Sequence, residues 1–382
     1  MSRSAFVNGA VLVNGRMSEG LAVLVEAGRI RGIVDAGKLP ADYRDIHDLG
    51  GQHLLPGYVD TQVNGGGGVL FNDRPQLDGI AAIAAAHCRL GTTAFLPTLI
   101  SDELDVVRRA MAAAEEAIDE GVAGVIGIHI EGPFLNPDRR GVHDRQRLRR
   151  LTTEVAGAIS PIRNGTTLLT IAPEAADPDA IRSLAAKGII VAAGHTNASY
   201  SETVAAIGQG LRGFTHLFNA MSQIGPREPG VVGAALDDAE TWAGVIADGH
   251  HVSPVSLRIA YRCKGPDRMM LVSDAMPPVG SDMTEFSLLG RRIVVDGAVC
   301  RDANGTLAGT ATDMGSAVRK IIEVTGCTLA EASRMASLSP ARFLKRDSTI
   351  GSIEAGKRAD LIVVDRELNV TMTLIGGRIV GS

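Results

Sequence analysis

Three observations in the sequence predict an α/β protein, a (β/α)8 TIM-type barrel carrying a small β-sandwich domain built from both chain ends. Short apolar, β-rich runs alternate eight times with Ala-rich helical patterns through the middle of the chain. Alternating strand texture with glycine turns occurs only at the two ends. Four of the middle runs close on a histidine or an acidic residue, at Glu131, His195, His216 and Asp274.

In chain order, AFVNGAVLVNG and LAVLVEAGRIRGIVD read as short antiparallel strands within residues 5–55. The same pattern returns in GSIEAGKRADLIVVDRELNVTMTLIGGRIV. Isolated two- or three-stranded pieces are marginally stable, so the two ends are expected to pair. This gives a split domain, 1–55 with 350–382, around a continuous barrel domain, 56–349. Candidate barrel strands are 57–64, 92–99, 122–131, 167–173, 189–195, 213–218, 242–248 and 268–274, with helical patterns at 76–90, 102–120, 176–187 and 199–209. A doubly wound sheet produces the same alternation, but it would spread the four polar strand ends along a line, whereas a barrel rim gathers them. After the eighth strand, FSLLGRRIVVDGAVCRDANG predicts a β-hairpin insertion at the barrel mouth, followed by TLAGTATDM and a helix from about residue 313.

Composition narrows the function classes. The net charge of the 382 residues is −5, and Lys and Arg are scattered apart from a cluster between Arg139 and Arg150, so no nucleic-acid footprint is present. That cluster reads as a solvated loop and helix start. Cys88, Cys263, Cys300 and Cys327 show no CxxC spacing, which argues against a disulfide scaffold and a thiolate zinc site. There is no leader pattern and no apolar run near the roughly 18 residues a membrane span needs, so a soluble, cytoplasmic protein without a membrane partner is expected.

The chemistry sits in IHIEGPF, GHTNAS, THLFNA and LVSDAMPP. A lone histidine is more often a hydrogen-bonded structural residue than a ligand. An acidic side chain closing a buried strand, however, must be paired, protonated or metal-bound, and Glu131, His195, His216 and Asp274 occupy equivalent positions. Jointly they suit a divalent metal and its activated water. Asp274 is open to three readings: a fourth ligand, a helix cap, or the group that moves a proton from water to a leaving nitrogen. His143, in GVHD, is placed to donate toward a developing oxyanion. His129 shares the inward face of Glu131 and reads as packed, while Arg227, in SQIGPREPG, suits an anionic substrate group. Of His250 and His251, either could reach the site; His47, His53 and His87 have no evident role. The glycines from Gly65 to Gly68 lack P-loop spacing and its lysine, so close backbone packing is expected there.

At these residues the chain resembles the N-acetylglucosamine-6-phosphate deacetylases of the amidohydrolase superfamily. The likeness runs from LLPGYVDTQVNGGGG through HIEGPFLNP, GVHD, GHTNA, THLFNAM, ADGHHV, SDAM and TLAG to GSIEAGKRADLIVVD. The resemblance implies a metal held by Glu131, His195 and His216, Asp274 as acid/base, and His143 polarising an acetamide carbonyl. It also implies substrate contacts at Val142, His143, Asn219, Ala220, Arg227, His251, Leu307, Ala308 and Gly309. Arg227 would reach the phosphate on the neighbouring subunit's substrate, which implies a homodimer acting on a small amino-sugar phosphate.

Two departures from the pattern bear on these expectations. Where many amidohydrolases carry a His-x-His pair, strand one offers Gln62 and Asn64, weak ligands, so one divalent cation per chain, zinc or iron(II), is expected rather than two. His250 replaces an aliphatic residue and TLAGTATDM replaces a TLAGS pattern, at the pocket edge that would select the sugar. The expected reaction is deacetylation of N-acetyl-D-glucosamine 6-phosphate. The galactosamine epimer is its nearest competitor, followed by a cyclic-amide hydrolase of the dihydropyrimidinase type and a non-catalytic barrel.

Overall fold

The computed structural model describes residues 3–381. Eight strands, Tyr58–Val63, Thr92–Ile100, Gly127–Glu131, Thr166–Ile171, Ile190–Ala193, Leu211–Phe214, Trp242–Ile246 and Met269–Val272, form one parallel sheet in chain order. Nearly all their residues are buried, and parallel strands covered on both faces need such near-continuous apolar runs. Seven helices connect successive strands, and Met314–Thr325 follows the eighth. The four predicted helices form as Leu77–Arg89, Leu104–Asp119, Pro178–Ala186 and Tyr200–Gly208. The last of these opens on a capping box between Ser199 and Glu202.

The sheet closes into a barrel between its eighth and first strands. The Asp274 N–H donates to the Gln62 carbonyl at 3.1 Å, and the Asn64 N–H to the Ala275 carbonyl at 2.9 Å. Beneath them the buried Asp60 carboxylate accepts the Ser273 hydroxyl, the Ser273 N–H at 3.3 Å and the Gln62 N–H at 3.1 Å. A doubly wound sheet has no such seam.

The two chain ends share a β-sandwich. Its six-stranded sheet runs Arg378–Gly381, Val370–Ile375, Leu361–Val364, His53–Pro56, Ala10–Val13 and Arg16–Ser18. C-terminal Leu361–Val364 lies antiparallel to N-terminal His53–Pro56, so neither end completes this sheet alone. A four-stranded sheet of Arg29–Asp35, Leu21–Glu26, Arg3–Val7 and Asp45–Asp48 covers it, with Phe6, Val11, Val23, Leu54, Leu361, Val363 and Leu374 in the shared core.

Three sequence expectations are corrected. The predicted strand 122–131 starts only at Gly127, because the chain turns at Gly124 with φ of 79°. Strands predicted to reach His195, His216 and Asp274 stop at Ala193, Phe214 and Val272, for reasons of backbone direction given below. The predicted hairpin after strand eight is a four-stranded antiparallel sheet, Glu285–Leu288, Arg291–Asp296, Val299–Asp302 and Leu307–Thr310. Its last strand docks beside the barrel seam: the Thr310 N–H donates to the Asp274 carbonyl at 3.0 Å, and the Met276 N–H to the Thr310 carbonyl at 2.9 Å.

Burial pushes the Asp60 carboxyl up to about 7, against the pull of its three donors. An unfolded aspartate titrates near ~3.9, so the folded chain holds this proton more tightly and Asp60 subtracts stability as pH rises from about 4 through about 7. Asp60→Asn should therefore melt progressively higher than the parent as pH is raised across that window. Thermal melts at several pH values check this, and an offset that does not change with pH would show Asp60 ionised throughout.

Candidate active site and metal centre

Glu131 is the last residue of strand three and follows its regular alternation, with His129 and Glu131 inward and Ile128 and Ile130 against the helix layer. His195, His216 and Asp274 stand two residues beyond strand ends, in left-handed backbone, with φ of 50°, 34° and 51°. In strand five, Val191 and Ala193 pack with the helix layer while Ala192 joins Leu168 and Met270 inside. Continued alternation would send His195 outward; the left-handed turn brings it to the pocket. Such conformations cost about 1–3 kcal/mol each in non-glycine residues and persist where the surroundings enforce them.

The three side chains of Glu131, His195 and His216 converge. Glu131 Oε1 lies 3.3 Å from His195 Nε2 and 3.0 Å from His216 Nε2, and the two imidazole nitrogens are 3.0 Å apart. His195 Nδ1 donates to the Arg139 carbonyl at 2.8 Å, leaving Nε2 as a bare lone pair. Ligands held about 2.0–2.1 Å from a tetrahedral cation are separated by about 3.3 Å, so this buried donor set fits a divalent metal. Burial opposes charge on Glu131, yet the adjoining His195 and His216 imidazoles hold its carboxyl well below the usual range.

A pocket of about 350 Å³ opens over this cluster. Asn64, Val142, His143, Asn219, Ala220, His251, Asp274, Leu307 and Gly309 line it with Glu131, His195 and His216. Two sequence-predicted contacts lie elsewhere. The Ala308 side chain alternates away and packs with Leu288, Ile293 and Cys300, and Arg227 is exposed outside its own chain's pocket. His250 is exposed as well, so its ring is not part of the pocket edge. Gly309, with φ of 75°, passes so close to Asp274 that a Cβ would meet its carbonyl at 2.7 Å. The predicted close packing of the glycine run is present: the Gly65 carbonyl accepts from His87 Nε2 at 2.9 Å, giving His87 a structural role.

Several residues acquire a position here that sequence reading did not give them. The Ser101 N–H donates to His143 Nδ1 at 3.3 Å, and its hydroxyl lies 2.7 Å from the same atom. Nδ1 is thus an acceptor, and Nε2–H is the donor the ring offers the pocket. Burial, reinforced by His195, pushes His143 down to about 3, so the ring is neutral. Asn64 Nδ2 donates to Asp274 Oδ1 at 2.6 Å, and Gln62 Nε2 to Glu131 Oε1 at 3.1 Å. The strand-one amides therefore grip the two carboxylates. Arg139 contributes pocket wall and its carbonyl from a segment read as solvated loop. The usable signal was the polar strand end, since Ser101 closes the nine-residue run Thr92–Ile100 just as Glu131 closes its own strand.

A closed barrel with a buried Glu–His–His cluster at the base of a pocket defines a metal-dependent hydrolase. The chain belongs to the amidohydrolase family, whose family model matches residues 53–380. It is 42% identical to an N-acetylgalactosamine-6-phosphate deacetylase of Shewanella sp. (strain ANA-3), over 97% of this chain and 94% of the relative. It is 33% identical to an N-acetylglucosamine-6-phosphate deacetylase of Haemophilus influenzae, over 98% of each. The crystal structure of N-acetylglucosamine-6-phosphate deacetylase from Pasteurella multocida superimposes with a TM-score of 0.95 at 33% identity, covering 99% of both chains.

Removing any of the three donors should lower affinity for zinc by about 100-fold or more, since each supplies one of few protein ligands. Glu131→Gln, His195→Ala and His216→Ala are to be compared by chelator-competition titration with Gln62→Ala and Asn64→Ala, which should lose less, about 10–100-fold at most, as outer partners. A loss as large at Gln62 or Asn64 would make strand one part of the metal site.

Proposed function

We propose that this protein hydrolyses the acetamide of N-acetyl-D-glucosamine 6-phosphate to D-glucosamine 6-phosphate and acetate, in amino-sugar catabolism. The carrying observation is the convergence of Glu131, His195 and His216 with Asp274 and the neutral His143 on one pocket. One divalent cation per chain, zinc or iron(II), held by Glu131, His195 and His216, would supply a Lewis acid that polarises the carbonyl and acidifies water. His143 donates Nε2–H to the acetamide oxygen as negative charge develops there. Asp274, with Oδ1 held by Asn64, accepts a proton from the attacking water on its other oxygen. It then returns that proton to the sugar nitrogen as the C–N bond breaks, releasing acetate and the amine. Val142, Asn219, Ala220, His251 and the Leu307–Gly309 segment would hold the sugar phosphate.

A second reading, the galactosamine epimer, is favoured by the 42% identity to the Shewanella deacetylase. The cyclic-amide alternative is less supported, because Gln62 and Asn64 are engaged with Glu131 and Asp274. The exposure of Arg227 outside its own pocket supports a homodimer in which it reaches the substrate phosphate across the interface. No helix among the described residues is long and apolar enough to cross a membrane, and the reading places the reaction in the cytoplasm without nucleic-acid or membrane partners.

Acetate release from the 6-phosphates of both N-acetyl sugars, assayed side by side, tests the reaction and chooses the epimer. Burial, together with the Glu131 charge, pushes Asp274 up to about 6 without a cation, so kcat/KM of the metal-bound enzyme should fall as pH drops below about 6 and protonates the base. A bound cation moves this limb lower. Asp274→Asn should reduce kcat by about two to four orders of magnitude with metal retained. Near-parental turnover in that variant would remove Asp274 from the acid/base role.

Arg227→Ala should cost at least about tenfold more in kcat/KM on the phosphorylated sugar than on the free sugar, through loss of a charge-assisted pair. Mixing Arg227→Ala with Asp274→Asn chains should restore part of the activity if the arginine acts across the dimer. Equal losses on both sugars would exclude a phosphate contact, and no recovery despite demonstrated subunit exchange would place its action within one chain.

A further inference from the structure

Strand seven, Trp242–Ile246, is wholly apolar and is followed two residues later by Asp248, whose side chain is fully buried. Three donors hold it. Oδ1 accepts the backbone N–H groups of His250 and His251, each at 2.8 Å, which shapes the turn into the helix Pro254–Arg268. Oδ2 accepts His251 Nδ1–H at 2.6 Å. The His251 ring is itself only 5% exposed and lines the pocket with Asp274, Asn219 and Leu307.

We infer that Asp248 is a positioning residue for substrate binding: it fixes the His251 ring with Nδ1 protonated and so presents Nε2 as a bare acceptor for a hydroxyl of the sugar phosphate. This rests on the amino-sugar phosphate reading above. An imidazole alone can rotate or exchange its proton between nitrogens, presenting either a donor or an acceptor. A buried carboxylate that can only accept removes that freedom, and the short bond marks a charge-assisted contact. The two oxygens separate turn formation from ring orientation. Asparagine at 248 keeps an Oδ1 for the two N–H groups but replaces Oδ2 by an NH2 group, which cannot accept from Nδ1–H. The neutral ring must then move its proton to Nε2 or leave its place.

The test combines kinetics with ring protonation. Asp248→Asn should raise KM for the phosphorylated substrate about tenfold while kcat stays within about threefold, because the groups that move protons are untouched. In the His251→Ala background the same substitution should add less than twofold, since the ring it orients is gone. A KM within twofold of the parent, or multiplicative effects in the double variant, would overturn the assignment. In 15N-histidine-labelled protein, with the signal assigned by its loss in His251→Ala, His251 should carry a proton on Nδ1 in the parent. A bare Nδ1 there overturns the inference even if Asp248→Asn does not fold. Failure of the parent to deacetylate any sugar phosphate would instead sink the functional reading, and the ring measurement would still decide the Asp248–His251 pair.

Discussion

The site depends on a backbone reversal made just beyond three barrel strands. At His195, His216 and Asp274 the chain enters left-handed conformation, a state L residues avoid because Cβ crowds the following carbonyl. Regular strands offer side chains only two directions, inward and outward, in strict alternation. The reversal adds a third direction and turns His195 from the helix layer toward Glu131. The cost is borne by surrounding bonds, including those of Thr196 and Leu217 to the Ala220 and Gly244 carbonyls. Without its turn, His195 would follow Val191 and Ala193 into the helix layer and leave the pocket.

Barrel closure supplies the second constraint. Strand one meets strand eight through Asp60, Ser273 and the Asp274 amide, and this seam carries Gln62 and Asn64 into reach of Glu131 and Asp274. Residues that are poor metal ligands thus become the hydrogen-bond partners of the two carboxylates. The inserted sheet uses the same seam, since Thr310 pairs beside Asp274 and so delivers Leu307 and Gly309 to the mouth.

Each pocket imidazole with a mapped outer partner is fixed in a particular way. The Arg139 carbonyl leaves His195 with a lone pair toward Glu131, the Ser101 N–H leaves His143 with a proton for the pocket, and Asp248 leaves His251 with Nε2 toward it. Histidine chemistry depends on which nitrogen carries the proton, and here a neighbour decides it. His195 and His251 thereby turn a bare Nε2 to the pocket, whereas His143 turns Nε2–H to it.

The sequence by itself determined the alternation that forms the barrel, the pairing of the two ends into one sandwich, and the identity of the polar residues closing the strands. These follow from local rules, period-two burial and the cost of a carboxylate in an apolar run, which act over a few residues. Only the tertiary structure decided that those strands stop two residues short of His195, His216 and Asp274, that Ala308 faces away while Leu307 and Gly309 face in, and that Ser101, Asn64 and Asp248 hold the groups beside them. Asn64 and Asp274 are 210 residues apart in the chain, and a 2.6 Å bond between them depends on closure of the whole ring. Spacing along the sequence carries no record of such a distance.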